Sequence, residues 1–92
     1  MSEKGGVVIG RSDEATHYQP DVDLAECAGR EKGVSRRHAA IVQYRGELHL
    51  IDLRSVNGTF LNDQVLSPDQ PYPLGADSHI RLGTLEIKMT IG

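Results

Sequence analysis

Three short segments of the sequence carry the side chains best suited to chemistry: Gly10-Arg11, Ser35 to His38, and Ser55 to Thr59. Together they supply guanidinium groups, hydroxyls and a carboxamide, along with backbone N–H groups in loops. Arginine offers planar, forked donors that match phosphate oxygens, and a hydroxyl donates a single hydrogen bond to the same oxygens. These residue types therefore favour binding of a phosphate group over acid–base catalysis.

Catalytic and metal-binding sites fit the sequence less well. Ser35, His38 and Asp52 are the residue types of a hydrolase triad. However, there is no Gly-x-Ser-x-Gly turn, and residues three apart in a strand point to opposite faces. Histidine and cysteine spacings match no metal-ligand pattern, so we predict a protein that is not an enzyme and holds no metal or cofactor. The side chains considered as metal ligands are His17, His38, His49, His79 and Cys27.

Composition and charge narrow the class of protein further. The chain has 92 residues and a formal net charge of −3. This charge argues against a general nucleic-acid-binding protein, because such proteins usually carry an excess of positive charge. The segment from Arg30 to Arg37 nevertheless contains four basic residues and one acid. This local excess fits an anion site, and a solvated charged loop has the same composition.

Apolar runs in the sequence are short. None approaches the roughly 18 residues needed to cross a bilayer, and no basic segment precedes an apolar run as in a signal peptide. The single cysteine, Cys27, excludes an internal disulfide. We expect one domain spanning 1–92 that acts in the cytoplasm and binds neither nucleic acid nor membrane.

Alternation of apolar and polar residues, which is typical of β-strands, dominates the chain. The run 47–53 changes phase, which indicates either a bulge or a strand buried on both faces. Asn57-Gly58 predicts a type I′ hairpin turn, because both central residues of that turn have positive φ. Asn62-Asp63 predicts a second turn, and three prolines in 67–73 predict a surface loop. Short strands separated by turn signals predict an all-β sandwich or barrel. The predicted strands cover 7–9, 22–24, 40–45, 47–53, 80–82 and 85–91.

The three segments, in this order and at this spacing, resemble the forkhead-associated (FHA) domain. The family pattern is Gly-Arg, then Ser-x-x-His, then Asn-Gly-Thr, which here are Gly10-Arg11, Ser35 to His38, and Asn57 to Thr59. The resemblance covers roughly residues 7 to 91. It implies a β-sandwich of two mainly antiparallel sheets, with loops at one end that bind phosphothreonine peptides in Ser/Thr kinase signalling. The flanking segments that also match are 21–24, 52–55 and 80–83.

The resemblance assigns a role to each matching residue. Arg11 would contact the phosphate or support the loops, Ser35 would donate its hydroxyl to the phosphate, and Arg36 would pair with the phosphate. Asn57 would hold the peptide backbone through its side-chain amide. Without the resemblance, other interpretations stay open. Arg11 is also consistent with a surface arginine, Ser35 with a serine that orders its own loop and Asn57 with a residue that only forms a turn. The residues expected to structure the loops are Gly10, His38, Gly58 and Thr59.

Further polar residues are expected at the rim of the site. Adjacent residues alternate in a strand, so we expect Arg36 to face the phosphate and Arg37 to remain a solvated rim charge. The basic run 30–33 supports the hypothesis that the site prefers peptides with acidic residues beside the phosphothreonine. The expected rim residues are Arg30, Lys32, Arg37 and Ser55.

The sequence departs from the family pattern in two places. Val56 stands where many phosphate-binding members have Thr or Ser, which removes one hydroxyl. Gly10-Arg11 comes early, so we expect the first strand of the family to be missing, either because the domain is excised from a larger protein or because the chain is a minimal variant. The edge of strand 85–91 would then be open, and open edges invite pairing, so we predict homodimerisation through it. The alternative function is a phosphorylation-independent assembly module with a degraded phosphate site.

Overall fold

The computed structural model describes residues 6–90. Nine β-strands form the framework of this part of the chain. Within this range the one helical segment is a turn of 3₁₀ helix at Ala25–Cys27, and no helix is long or apolar enough to cross a membrane. The strands are β1 (Val7–Gly10), β2 (Val22–Asp23), β3 (Arg37–Tyr44), β4 (Glu47–Asp52), β5 (Thr59–Leu61), β6 (Gln64–Val65), β7 (Tyr72–Pro73), β8 (Asp77–Leu82) and β9 (Leu85–Thr90).

The strands are arranged in two sheets. The first has the order β2-β1-β3-β4-β7, and the second has the order β6-β5-β8-β9. β1 and β2 pair in parallel, whereas the other strand pairs are antiparallel. The predicted class, an all-β sandwich of two mainly antiparallel sheets, is confirmed.

Aliphatic side chains hold the two sheets together. The alternation along β8 buries Ile80 and Leu82 completely, while His79 points to solvent on the other face. Removing such apolar area from water is the dominant favourable contribution to folding. The buried apolar cluster consists of Ile9, Leu24, Val34, Ala39, Leu50, Leu61, Leu66, Ile80, Leu82 and Leu85.

The hairpin turns agree only in part with the sequence prediction. Arg45-Gly46 joins β3 to β4 and Asn62-Asp63 joins β5 to β6, and all four residues have positive φ, as a type I′ turn requires. The turn predicted at Asn62-Asp63 is therefore confirmed. Asn57 does not have positive φ, so the type I′ turn predicted at Asn57-Gly58 is wrong. Gly58 has a φ of 87° within an irregular loop between β4 and β5.

The alternation of apolar and polar residues changes phase within 47–53 because the strand is buried on both faces, and not because of a bulge. β4 pairs regularly with β3 along its whole length, and it buries the neighbouring residues His49 and Leu50, which face opposite sides. The register between β1 and β3 shifts at Ile9/Gly10, where His38 of β3 is the extra residue. The irregularity therefore falls where the first and second functional segments lie side by side.

The edges of the sheets explain two further sequence features. The proline-rich loop contributes the short β7 to the edge of the first sheet, where a proline is tolerated because one side of an edge strand has no partner. β9 is the predicted strand 85–91, of which Ile91 lies outside the described residues, and within 6–90 it pairs with β8 alone. Homodimerisation through β9 stays a prediction. The strand expected to be missing before Val7 also falls outside the described residues.

Candidate functional site

The first and second sequence segments meet at one end of the sandwich. Arg11 donates from Nε to the carbonyl oxygen of Val34 at 2.8 Å and from its backbone N–H to that of Arg36 at 3.2 Å. Gly10 lies so close to the same backbone that a Cβ atom would overlap the Arg36 carbonyl oxygen. Gly10 is thus required for the close approach of two backbones. Its neighbour Arg11 holds the loop that carries Ser35.

The second and third segments are joined by hydrogen bonds in the same region. The Val56 N–H donates to Ser35 Oγ at 3.2 Å, and Asn57 Nδ2 donates to the carbonyl oxygen of Gly33 at 3.0 Å. Ser35 Oγ accepts in this contact, which leaves its own O–H free to donate to a ligand. Likewise, the Asn57 amide uses its nitrogen and keeps Oδ1 as an acceptor. Both side chains are therefore oriented by the protein and still able to bind.

His38 ties these two loops together from inside the protein. Its side chain is fully buried. Nδ1 accepts from the Ser35 N–H at 3.0 Å, so Nε2 carries the proton and donates to the Gly58 carbonyl oxygen at 2.8 Å. Burial lowers the pKa of His38, although the Gly58 carbonyl and the nearby Asp52 carboxylate oppose the shift. With both ring nitrogens bonded to backbone groups, the imidazole cannot act as a base on the Ser35 hydroxyl.

Asp52 anchors the third segment beneath the surface. Its carboxylate is buried, and Oδ1 accepts from Thr59 Oγ1 at 2.6 Å and from Ser55 Oγ at 2.5 Å. A buried carboxylate is tolerated because hydrogen bonds replace lost water. The hydroxyl of Ser55 is therefore directed toward Asp52, while the residue is half-buried and its place at the rim stays a prediction. Thr59 is fully buried and fixes the start of β5.

A cleft opens beside Ser35, between the turn at 13–18 and the loop at 53–57. It has a volume of about 520 Å³, within the range of about 300–1,000 Å³ typical of ligand pockets. Arg54 was missed by the sequence reasoning because it lies outside the three motifs. The residues that line this Ser35 cleft are Thr16, Tyr18, Ser35, Arg36, Arg37, Arg54 and Val56.

Arg36 is held at the cleft by a carboxylate. Its Nη1 donates to Asp13 Oδ2 at 3.1 Å, and the Arg36 side chain remains 52% exposed. Partial burial pushes the pKa of Asp13 up, but hydrogen bonds from the Ala15 N–H, the Thr16 hydroxyl and Arg36 outweigh it. The pKa of Asp13 therefore lies below its ordinary value. Because Asp13 is ionised at neutral pH, a ligand phosphate must compete with this carboxylate or share Arg36 with it.

Both arginines of the second segment line the Ser35 cleft. The prediction that only one of them faces the site is wrong. β3 begins at Arg37, so Arg36 precedes the regular alternation of the strand and the two side chains need not point to opposite sides. Arg37 is thus part of the cleft wall as well as exposed.

The remaining predicted binding residues lie around the cleft and do not line it. Arg11 and Arg30 border a depression on one side of the 33–36 backbone. Asn57 and Lys32 border another depression, next to an Arg81 guanidinium stacked 3.9 Å from the centre of the Phe60 ring. Arg30 and Lys32 therefore border different depressions, both of which Glu31 also lines, and their role as rim residues stays a prediction.

The structure also locates the side chains that were weighed as metal ligands. Within residues 6–90, no three His, Cys, Asp or Glu side chains are grouped in a way that could hold a metal ion. His38 is occupied as described above, and Cys27 is exposed in the 3₁₀ turn. The donors gathered at this end of the protein are N–H and O–H groups, which suit an anion.

Sequence comparisons agree with this architecture. The family model of the FHA domain matches residues 7–83, so the chain belongs to the FHA family. It is 38% identical over 85 residues to the FHA domain-containing protein FhaA of Mycobacterium tuberculosis, covering 91% of this chain and 14% of FhaA. It is also 38% identical over 65 residues to the probable E3 ubiquitin-protein ligase dma1 of Schizosaccharomyces pombe, covering 66% of this chain and 24% of dma1. The chain thus spans a quarter or less of these relatives.

Solved structures with the same fold include FHA domains in complex with partners. The FhaA FHA domain complexed with the intracellular domain of Rv3910 is 31% identical, with a TM-score of 0.66, and the match covers 94% of this chain and 80% of that one. The N-terminal FHA domain of S. cerevisiae Rad53p, in complex with a phosphothreonine peptide, is 27% identical, with a TM-score of 0.67. That match covers 90% of this chain and 61% of that one.

Proposed function

We propose that this domain recognises proteins or peptides phosphorylated on threonine and performs no catalysis itself. The observation that carries the proposal is the convergence of Ser35, Arg36 and Asn57 on one end of the sandwich, with Ser35 and Arg36 lining an open cleft. The resemblance of the three segments to the FHA pattern and the Rad53p complex support it. Phosphothreonine is made by Ser/Thr kinases, so we place the domain in kinase signalling, in the cytoplasm.

Each side chain has a distinct part in this proposal. The Arg36 guanidinium pairs with phosphate oxygens in competition with Asp13, and the Ser35 hydroxyl donates one further hydrogen bond. Asn57 accepts a hydrogen bond from a peptide N–H through Oδ1, while its Nδ2 stays on Gly33. Hydrogen bonds to charged groups contribute about 1.5–3 kcal/mol each. Two or three of them, less the cost of ordering the peptide, give a micromolar Kd, or about −8 kcal/mol.

Titration of a phosphothreonine peptide library, with the unphosphorylated peptides alongside, tests the proposal. We expect micromolar binding of phosphorylated peptides only, and loss of that binding in Ser35→Ala and in Arg36→Ala. Arg45→Ala is the matched control, because Arg45 is exposed in the turn at the far end of β3. Equal binding of phosphorylated and unphosphorylated peptides would support the phosphorylation-independent assembly module instead.

A further inference from the structure

The Ser35 cleft contains more guanidinium groups than the one assigned to the phosphate. Arg36 already supplies the guanidinium for the phosphate in the proposed function. The cleft is lined by two more arginines, Arg37 and Arg54, and its volume of about 520 Å³ is typical of sites that hold a whole small ligand. The walls therefore offer donors and space for a second group.

Arg54 is held in place at this wall. Its backbone has a φ of 59°, a left-handed conformation that is uncommon for residues other than glycine and is often associated with functional sites. Its Nε donates to Asp69 Oδ2 at 2.7 Å. The Asp69 N–H in turn donates to the Asp52 carbonyl oxygen at 2.9 Å, so the pair is fixed to the end of β4. Because Nε faces Asp69, the two terminal nitrogens of the guanidinium remain as donors.

Arg37 adds a charge that has no ion-pair partner among residues 6–90, whereas Asp13 pairs with Arg36 and Asp69 pairs with Arg54. Val56 completes the wall with an aliphatic side chain that is 87% exposed. Aliphatic surface next to guanidinium groups fits a side chain that has methylene or methyl groups and ends in an anion.

We infer that Arg37 and Arg54 form a second anion subsite for a peptide that carries another negative group near the phosphothreonine. This inference rests on the proposed function, since the phosphothreonine brings the peptide to Ser35 and Arg36. The second group is a carboxylate or a phosphate, because a guanidinium binds both through the same forked donors. The subsite is separate from the rim predicted at Arg30 and Lys32, which lie outside the cleft.

The test compares four peptides that differ only in one flanking position, scanned on both sides of the phosphothreonine. The flanking residue is Gln, Glu, phosphothreonine or Lys. We expect the wild-type domain to bind the Glu peptide about two- to fivefold more tightly than the Gln peptide at low salt, as for a favourable exposed ion pair. A second phosphate carries about twice the charge of a carboxylate, so the peptide with a second phosphothreonine should bind more tightly than the Glu peptide. This difference in affinity distinguishes a carboxylate from a phosphate as the second anion.

Two variants test whether Arg37 and Arg54 cause the tighter binding of peptides with a second anion. In the double variant Arg37→Gln and Arg54→Gln, the Glu and second-phosphate peptides should bind no more tightly than the Gln peptide does to the same variant. Arg30→Gln is the matched control, because it removes the same charge outside the cleft and should leave the gain intact. Equal gains in the wild type and the double variant would overturn the subsite, as would the absence of any gain. If no phosphopeptide binds at all, the proposed function fails together with the subsite.

Discussion

His38 is the buried link between the two loops of the site, so His38→Ala should be among the most damaging single changes. The substitution leaves the Ser35 N–H without its partner and removes one of the two hydrogen bonds to the Gly58 carbonyl oxygen, which still accepts from the Gly83 N–H at 3.0 Å. The unsatisfied Ser35 N–H costs about 1–3 kcal/mol, and the cavity left by a fully buried ring adds to this cost. We expect a loss of about 3–5 kcal/mol in the free energy of unfolding, a large share of the roughly 5–15 kcal/mol available to a small domain.

Urea denaturation measures this loss. Because the sequence contains no tryptophan, far-UV circular dichroism is the suitable signal. The midpoint should fall by roughly 2 M with an unchanged slope, since slopes of about 1–3 kcal/mol/M are usual for small proteins. His38→Gln, whose amide can replace one of the two hydrogen bonds, should lie between wild type and His38→Ala. It keeps the test informative if His38→Ala does not fold.

His79→Ala is the matched control for this prediction. His79 is about half exposed on the outer face of β8, and its contact with Glu86 is a long ion pair of 3.8 Å. Exposed pairs contribute about 0–1 kcal/mol, so His79→Ala should unfold almost as wild type does. If His38→Ala lies within about 1 kcal/mol of wild type, the two hydrogen bonds do not hold the loops and our account of the site is wrong.

The remaining predictions concern pH and backbone approach. The folded pKa of His38 is lowered from 6.5, so the unfolded chain takes up a proton first and stability falls as the pH drops from about 6.5 through the folded pKa. Urea midpoints at pH 7.5 and 5.5 should therefore differ in wild type and not in His38→Gln, and equal midpoints in wild type would contradict this. Gly10→Ala must displace the Arg36 carbonyl; we expect weaker phosphopeptide binding and an unfolding free energy lower by about 2 kcal/mol or more. Gly75→Ala, where a Cβ would meet its nearest neighbour only at 4.0 Å, should change neither measurement, and equal behaviour of the two variants would refute the argument.

The strands could be predicted from the sequence because alternation and turn-forming residues are local patterns. Alternation in 85–90 and 80–82 marks strands that bury one face against the opposite sheet, and such patterns persist when neighbours change. The turn at Asn62-Asp63 was found for the same reason. Asn57-Gly58 has an even stronger turn signal, but Asn57 is bonded to Gly33 across the site. Tertiary contacts override the local preference there, and no local pattern reports them.

The residues of the candidate site could be predicted from the sequence only where they belong to the three motifs. Ser35, Arg36 and Asn57 lie where the three segments converge, whereas Asp13 and Arg54 had no signal of their own. Asp13 reaches Arg36 across 23 positions of sequence, because the end of β1 passes beside the segment that leads into β3. Arg54 enters the cleft wall because an irregular loop, and not a hairpin, follows β4. Both depend on how loops cross in space, which spacing along the chain does not encode.

The division between buried and exposed residues at this end of the sandwich bears on how the domain can evolve. Gly10, His38 and Thr59 are buried and fix the loops, while the side chains of Arg37 and Arg54 are exposed. Substitutions at sites without shared partners have nearly additive effects. The charge of this surface can therefore change through the exposed arginines at little cost to folding.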